Sequence, residues 1–383
     1  MPQRKLILLV GSLPPPANGM TITTQNLLGS SFAQRFDVWH LDTSDHRGID
    51  KVARIDLLNI LLAMKHGAEF LVALLAKRPG AIYLPLARNR LGVLRDLLFL
   101  LPARLARRPV VVHFHSSSFF DYWHSETALM RRLISFSLGP KVTGIVLGEI
   151  YRDAFGPLVP SERIHVVPNG IPDLGVGAPP REREPMVLHL STMWTEKGLF
   201  EVLRTAVGIR ARVPEARFVL AGGWYSESEK SAAMRFVAEH GLAPVIEFVG
   251  PVEGEEKRRL LQTAAAMLFP SKREAQSLVV LEALSAGTPV VATPVGCLPE
   301  TYTDGVEGFF ISLDDIDGLI DRCTLLLIDV DRRDQMGRAA RRRYESHLQV
   351  RRFARELGDV VESVLRNAPQ ESDLSDRSIA EVK

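Results

Sequence analysis

The residues predict a two-domain α/β protein with a parallel sheet in each domain, and three observations carry that reading. Short apolar, β-branched runs alternate with longer helical patterns. The alternation stops at a Pro/Gly-rich stretch after residue 167 and then restarts. A length of 383 residues suits two domains of ordinary size, and 46% apolar with 24% charged residues is the composition of a folded chain. Two such sheets joined by a linker leave a cleft, and open α/β sheets bind ligands at the carboxyl ends of their strands. The expected site is that cleft.

In chain order, the first domain is expected over residues 1–170, with strands at Lys5–Gly11, Phe36–Asp42, Ala81–Leu86, Val110–His115 and Val142–Leu147 and helices between them. A linker over residues 171–184 follows the turn Pro168-Asn-Gly170 and includes Pro179-Pro180. The second domain, residues 185–348, repeats the pattern with strands at Met186–Leu190, Arg217–Ala221, Val245–Val249, Met267–Phe269 and Pro289–Ala292. A C-terminal helix is expected over residues 349–367, and the polar stretch 368–383 reads as a flexible tail. No fixed-period repeat is present.

Composition removes several classes of function. Cys297 and Cys323 belong to no C-x-x-C or Cys/His cluster, which leaves no disulfide framework or zinc site and suits a reducing compartment. The runs Leu57–Met64 and Leu97–Ala103 are half or less of the roughly 20 residues that a membrane-spanning helix needs. With no charged-then-apolar leader, the expected location is cytoplasmic, peripheral on the inner face of the membrane. The net charge of +2 hides an asymmetry: residues 1–150 hold 18 Lys/Arg against 10 Asp/Glu, and residues 151–383 hold 29 against 35. A basic first half suits an anionic membrane surface or phosphorylated substrates. Arg88, Arg90, Arg95, Arg104, Arg107 and Arg108 flank the apolar run Leu97–Leu101, as in helices that lie on anionic lipid, although a core helix has the same pattern. Nucleic acid is not expected, because the basic residues are not interleaved with aromatics and no nucleic-acid module is present.

The chemistry-bearing segment is Phe269-Pro-Ser-Lys-Arg-Glu-Ala-Gln-Ser-Leu278 and its continuation through Glu282 to Gly287-Thr-Pro-Val-Val-Ala292. A strand should end near Pro270, with Glu274 in the following loop and a helix starting near Ser277. An unpaired carboxylate at a cleft mouth accepts charge-assisted hydrogen bonds from sugar hydroxyls. Backbone N–H groups at a helix start, here Ala275, Gln276, Ser277 and Leu278, suit a diphosphate. A second segment, Ser191-Thr-Met-Trp-Thr-Glu-Lys-Gly198, places Lys197 and Gly198 at a strand-to-helix turn, where an ammonium and backbone amides can meet a leaving diphosphate. The loop Ser12–Thr21 lacks G-x-G-x-x-G, which argues against a dinucleotide-binding oxidoreductase, and its Asn18-Gly19 turn brings backbone near the cleft. His115 emerges at the carboxyl end of its strand, where neutral imidazole can donate to a sugar hydroxyl and titrate near neutral pH; His113 is the weaker candidate. Asp315-Ile-Asp317 has D-x-D spacing but lies at a helix start, where it reads as an N-cap.

The 270–292 segment resembles the E-x7-E motif of the retaining GT-B glycosyltransferases of family GT4, in its S-x-x-E…L-E-A-x-A-x-G-x-P-V-V-A setting. The resemblance implies a GT-B fold, two Rossmann-like β/α/β domains facing across a deep cleft. It implies that Glu274 contacts the donor sugar, Glu282 holds the ribose hydroxyls, Lys197 stabilises the diphosphate, Gly19 lies on the loop that approaches the diphosphate, and His115 sits beside the reacting face. Where the family carries G-R-x-x-x-x-K-G, this chain has Ser191-Thr192 in place of the glycine–arginine pair, so Lys197 and the backbone act alone, or Arg273 or another basic residue substitutes. The implied activity is metal-independent, retaining sugar transfer from a nucleoside-diphosphate sugar, UDP- or GDP-linked, to a glycan or lipid-linked acceptor, without a cofactor. A non-catalytic nucleotide-sugar-binding partner subunit is the alternative, supported by Thr192; a sugar-nucleotide epimerase is disfavoured by the E-x7-E setting.

Overall fold

Strands that are apolar at every position need cover on both faces, and this chain supplies it twice. In the computed structural model, which describes residues 4–45, 57–87, 89–116, 119–139, 141–174 and 183–367, the chain divides into two units. Unit 1 comprises residues up to Val167 together with those from Phe353 onward, and unit 2 comprises Pro168–Arg352. Arg88, Ser117, Ser118, the Pro179-Pro180 part of the linker and the 368–383 tail lie outside the described residues.

Unit 1 runs β1 (Leu6–Gly11), α1 (Gly19–Leu28), α2 (Ser31–Arg35), β2 (Asp37–Asp42), α3 (Leu57–Lys77), β3 (Ala81–Leu86), α4 (Arg90–Leu105), β4 (Val110–Phe114), α5 (Phe119–Ser125), α6 (Ala128–Leu138), β5 (Val142–Val146), α7 (Arg152–Phe155) and β6 (Ile164–Val166). Its six strands form one parallel sheet in the order β2-β1-β3-β4-β5-β6. Alternate residues sort between the faces. Leu8, Val10, Leu84 and Val112 meet α3, α4 and α6 through Phe70, Leu100 and Ile134, while Ile7, Leu9 and Val111 meet α1 and α2 through Leu27 and Phe32.

Unit 2 runs β7 (Glu184–Leu190), α8 (Leu199–Arg212), β8 (Arg217–Ala221), α9 (Glu227–Glu239), β9 (Ile246–Gly250), α10 (Gly254–Thr263), β10 (Ala264–Phe269), α11 (Leu278–Ser285), β11 (Val290–Ala292), α12 (Leu298–Thr301), β12 (Gly308–Phe310), α13 (Ile316–Ile328) and α14 (Val330–His347). Its parallel sheet has the order β12-β11-β10-β7-β8-β9. From β7 the chain winds outward to β8 and β9, then returns to the other side of β7 and winds the opposite way. The winding therefore reverses between β7 and β10, and a reversal of this kind is where open α/β sheets bind ligands.

The last helix, α15 (Val350–Arg366), buries Phe353, Leu357 and Val361 in the unit 1 core beside Ile7 and Tyr83. Arg35 donates to Glu362 at 2.7 Å and pairs with Asp359 at 2.9 Å, which ties α15 to α2.

The arginine-flanked run Leu97–Leu101 does not lie on the surface as a unit. Leu97, Phe99 and Leu100 are buried in the core of unit 1, because α4 covers β3 and β4, and of its large apolar side chains only Leu94, Leu98 and Leu105 are markedly exposed. The core-helix alternative holds for this run.

Candidate functional site

β7 and β10 pair directly, with Leu188 opposite Met267, so their outgoing loops are neighbours. The first loop carries Ser191–Gly198 and the second Pro270–Ser277. They touch so closely at one point that a side chain is excluded: a Cβ on Gly198 would stand 2.1 Å from the Pro270 carbonyl oxygen, and Gly198 has φ +80. Only glycine satisfies both demands. The Lys272 N–H donates to the Glu196 carbonyl at 3.0 Å and joins the loops again.

This contact brings two predicted residues together. Lys197 Nζ donates to Glu274 Oε1 at 2.6 Å, and Ser271 Oγ donates to the same oxygen at 3.0 Å. The carboxylate expected to be unpaired is therefore paired, because opposite charges on adjacent loops, both largely shielded from water, hold each other. Behind Glu274 the backbone is fixed by the Cys297 N–H, which donates to the Ala275 carbonyl at 2.8 Å.

α11 begins at Leu278 after Ser277, whose side chain does not cap it, so the capping position leaves the first-turn amides unclaimed. Gln276 acts differently from its neighbours. Its Oε1 accepts the Asn169 N–H at 2.7 Å and its side chain is buried, so it ties the Pro168-Asn169-Gly170 turn to the site loop. Arg273 is exposed.

Glu282, on the second turn of α11, is buried. Lys257 of α10 donates to its Oε1 at 2.7 Å, while Oε2 is buried without a hydrogen-bond partner. Burial pushes the Glu282 carboxyl above the usual carboxylate range, and the Lys257 ammonium pulls it partly back. A buried carboxylate oxygen with no partner is costly unless something donates to it. Lys257 was not foreseen; it lies 25 residues before its partner, and no local spacing announces the pair. Nor was the stacked pair Trp194–Tyr225, with ring centroids 4.2 Å apart, which joins the loops after β7 and β8. Thr192, standing in the place of the family arginine, is exposed.

In unit 1, Gly19 opens α1 at the carboxyl end of β1, exposed, with open space where a Cβ would lie. Asn18 caps the helix, its Oδ1 accepting from Met20 N at 3.0 Å and Thr21 N at 3.2 Å, so these two amides are already engaged. β4 ends one residue earlier than expected, at Phe114, and His115 follows it. The His115 and His113 ring centroids are 3.8 Å apart with the planes tilted by 33°, and Tyr83 Oη bonds His113 Nδ1 at 2.7 Å. Burial pushes His115 down to about 4, so it is neutral at physiological pH rather than titrating there. Its Nε2 is buried without a partner. The structure thus gathers Lys197, Gly198, Arg273–Leu278 and Glu282 in unit 2, and places Gly19 and His115 at strand ends of unit 1.

Asp315 caps α13, its Oδ1 accepting the Gly318 N–H at 2.8 Å. Among the described residues no group of three or more His, Cys, Asp or Glu could hold a metal ion.

Residues 177–343 match the family described as glycosyl transferases group 1. Sulfoquinovosyl transferase SQD2 of Arabidopsis thaliana is 29% identical over 200 residues, 51% of this chain and 35% of that protein. GDP-mannose-dependent alpha-(1-6)-phosphatidylinositol monomannoside mannosyltransferase of Mycolicibacterium smegmatis is 30% identical over 210 residues, 50% of this chain and 53% of that one. The matches thus span a third to about half of these relatives. HepE of Anabaena, solved with UDP-glucose, shares the fold with a TM-score of 0.73 at 17% identity, over 94% of this chain and 99% of that one. The fold of this chain is GT-B, and residues 177–343, within its second unit, are similar to the group 1 glycosyltransferases.

Proposed function

We propose that this chain is a retaining, metal-independent glycosyltransferase that moves a sugar from a UDP- or GDP-sugar to a lipid-linked or glycan acceptor at the membrane. The observation that carries the reading is the pairing of Lys197 with Glu274 at the winding reversal of the second sheet, one helix away from a buried Glu282 oxygen that has no partner. A donor diphosphate would draw Lys197 to itself and accept from the first-turn amides of α11. Glu274, released from Lys197, would hold sugar hydroxyls, and Glu282 Oε2 would accept from the ribose. With the leaving group stabilised in this way, positioning and electrostatics carry the catalysis, and the departing phosphate takes the acceptor proton on the same face of the sugar. Neutral His115 would donate to the sugar from unit 1. The GDP-mannose donor and the phosphatidylinositol-based acceptor in the mycobacterial relative's name, and the UDP-glucose bound by HepE, support a nucleotide-sugar donor and a lipid acceptor. The basic excess of residues 1–150 supports an anionic membrane beside them.

The test is calorimetry of UDP and GDP together with a transfer assay. One nucleotide should bind, transfer should persist in a chelator, and Glu274→Gln should lower turnover at least about tenfold, each power of ten being about 1.4 kcal/mol, while leaving nucleotide affinity intact. Turnover unchanged in Glu274→Gln removes the proposed role of that residue, and turnover abolished by chelator and restored by manganese removes the metal-free chemistry. The exposed Thr192 favours a second reading, a non-catalytic nucleotide-sugar-binding subunit, which nucleotide binding without donor hydrolysis or transfer would support.

A further inference from the structure

A surface helix of a soluble domain turns a polar face outward, and α3 does not. Its inner face, with His66, Phe70, Ala73 and Leu74, is buried in unit 1. Its outer face presents Leu57, Leu61, Met64, Ala68, Leu71 and Leu75, spaced as one stripe of a helix, with Met64 and Leu75 both 63% exposed. Leu58, Ile60 and Val72 widen the stripe. Over the 21 residues of α3 it is about 30 Å long. α4 extends it: Leu98 lies against Gly67, where an added Cβ would meet it at 3.4 Å, and Leu94 and Leu98 are exposed in their turn. A contiguous exposed apolar face of this size marks an interaction surface.

Charge identifies the occupant. Exposed Lys65, Lys77 and Arg78 lie on α3 or at its end, and Arg104 and exposed Arg107 lie at the end of α4. Against them, the one acidic residue of α3 is Glu69, 3.6 Å from Lys65, and the one acidic residue of α4 is Asp96, fully buried on Arg95 at 2.8 Å. An apolar stripe rimmed by cations is the pattern of a helix lying in an anionic lipid interface. α3 is long and apolar enough to cross a membrane. Because Phe70, Ala73 and Leu74 are committed to the core against the β-sheet, it can only lie flat.

We propose that the outer face of α3, continued by Leu94 and Leu98 of α4, seats this chain on an anionic bilayer with α3 embedded in the interface. The inference deepens the proposed function by naming the surface that brings the site to a membrane acceptor, and rests on that reading only for its purpose. The test uses the full chain with phosphatidylglycerol/phosphatidylcholine vesicles and with pure phosphatidylcholine vesicles, scored by co-sedimentation. The wild type should pellet with the anionic vesicles and less so as salt rises. Leu61→Ser/Met64→Ser/Leu71→Ser, all at exposed positions, should lower that partition at least about tenfold while keeping nucleotide affinity. A fluorophore on Met64→Cys, selective because Cys297 and Cys323 are buried, should shift to the blue with anionic vesicles. Equal partition of the triple variant and the wild type, or a wild type that stays in the supernatant, overturns the proposal. So does a triple variant that converts a dimer to a monomer without changing vesicle binding, since a second copy would then cover the face. Vesicle binding without nucleotide binding would leave this inference standing and sink the transferase reading instead.

Discussion

Glu282 and Glu274 are both carboxylates beside a lysine, yet their surroundings differ. Glu274 sits in a loop, with Lys197 and Ser271 on one oxygen. Glu282 is buried on a helix with Oε2 unpartnered, and its raised pKa is a consequence of that burial. A carboxyl raised in the folded state favours folding fully below its unfolded value, and that contribution is lost as pH rises through the folded value. The proposed ribose binding would run the other way, because only an ionised carboxylate gives charge-assisted bonds. The affinity advantage of the wild type over Glu282→Gln, about 1.5–3 kcal/mol in the ionised state, should therefore shrink as pH falls and the raised carboxyl takes up its proton. Calorimetry of the nucleoside diphosphate at several pH values measures it; an advantage independent of pH would show that the charge of Glu282 is not what the nucleotide reads. His115, held neutral by burial, should contribute no charge change over the same range.

At the scale of elements, two glycines called site residues serve in opposite ways. Gly198 has positive φ and no room for a Cβ, so Gly198→Ala should cost at least about 1–3 kcal/mol of stability and move Lys197 off Glu274. Gly19 begins α1 with nothing near its missing Cβ, so Gly19→Ala should change stability by no more than about 1 kcal/mol. If the backbone there approaches the donor, Gly19→Ala lowers turnover without lowering the urea midpoint. Urea unfolding beside the transfer assay separates the two, and a stability loss in Gly19→Ala equal to that in Gly198→Ala would remove the distinction. Most strands were legible, because a strand covered on both faces reads as an unbroken apolar run, as in Leu6–Val10 and Ala81–Leu86; of β10, Ala264–Phe269, only the Met267–Phe269 end was expected. The strands β6 and β12 were not; each is three residues long, too short to show a period, and neither has the all-apolar, fully buried run that marks the equally short β11.

For the whole molecule, the decisive element is α15, last in sequence and part of the first unit's core. Phe353, Leu357 and Val361 are almost fully buried there. At about 1.5–3 kcal/mol for each such side chain, their burial is comparable with the whole stability of a domain, about 5–15 kcal/mol. Deleting residues 350–383 should leave unit 1 unfolded or aggregated, and Leu357→Ala should cost about 2–5 kcal/mol. Circular dichroism and limited proteolysis of the two variants decide this; a truncated chain with unit 1 intact would contradict it.

What the sequence determined by itself is local in origin. Strand and helix positions follow from periodicity over a few residues. The segments carrying Lys197, Glu274 and Glu282 are recognisable because their glycines, prolines and carboxylates are close in the chain. The tertiary structure decided what depends on distant pairing. It put Lys197 on Glu274, 77 residues away, because β7 and β10 are neighbours at the winding reversal, and Lys257 on Glu282, because α10 and α11 pack against each other. It also sorted apolar helices into buried and exposed. Leu97, Phe99 and Leu100 of α4 and the outer stripe of α3 are equally apolar in composition, and only the position of each helix on the sheet determines which of them meets water.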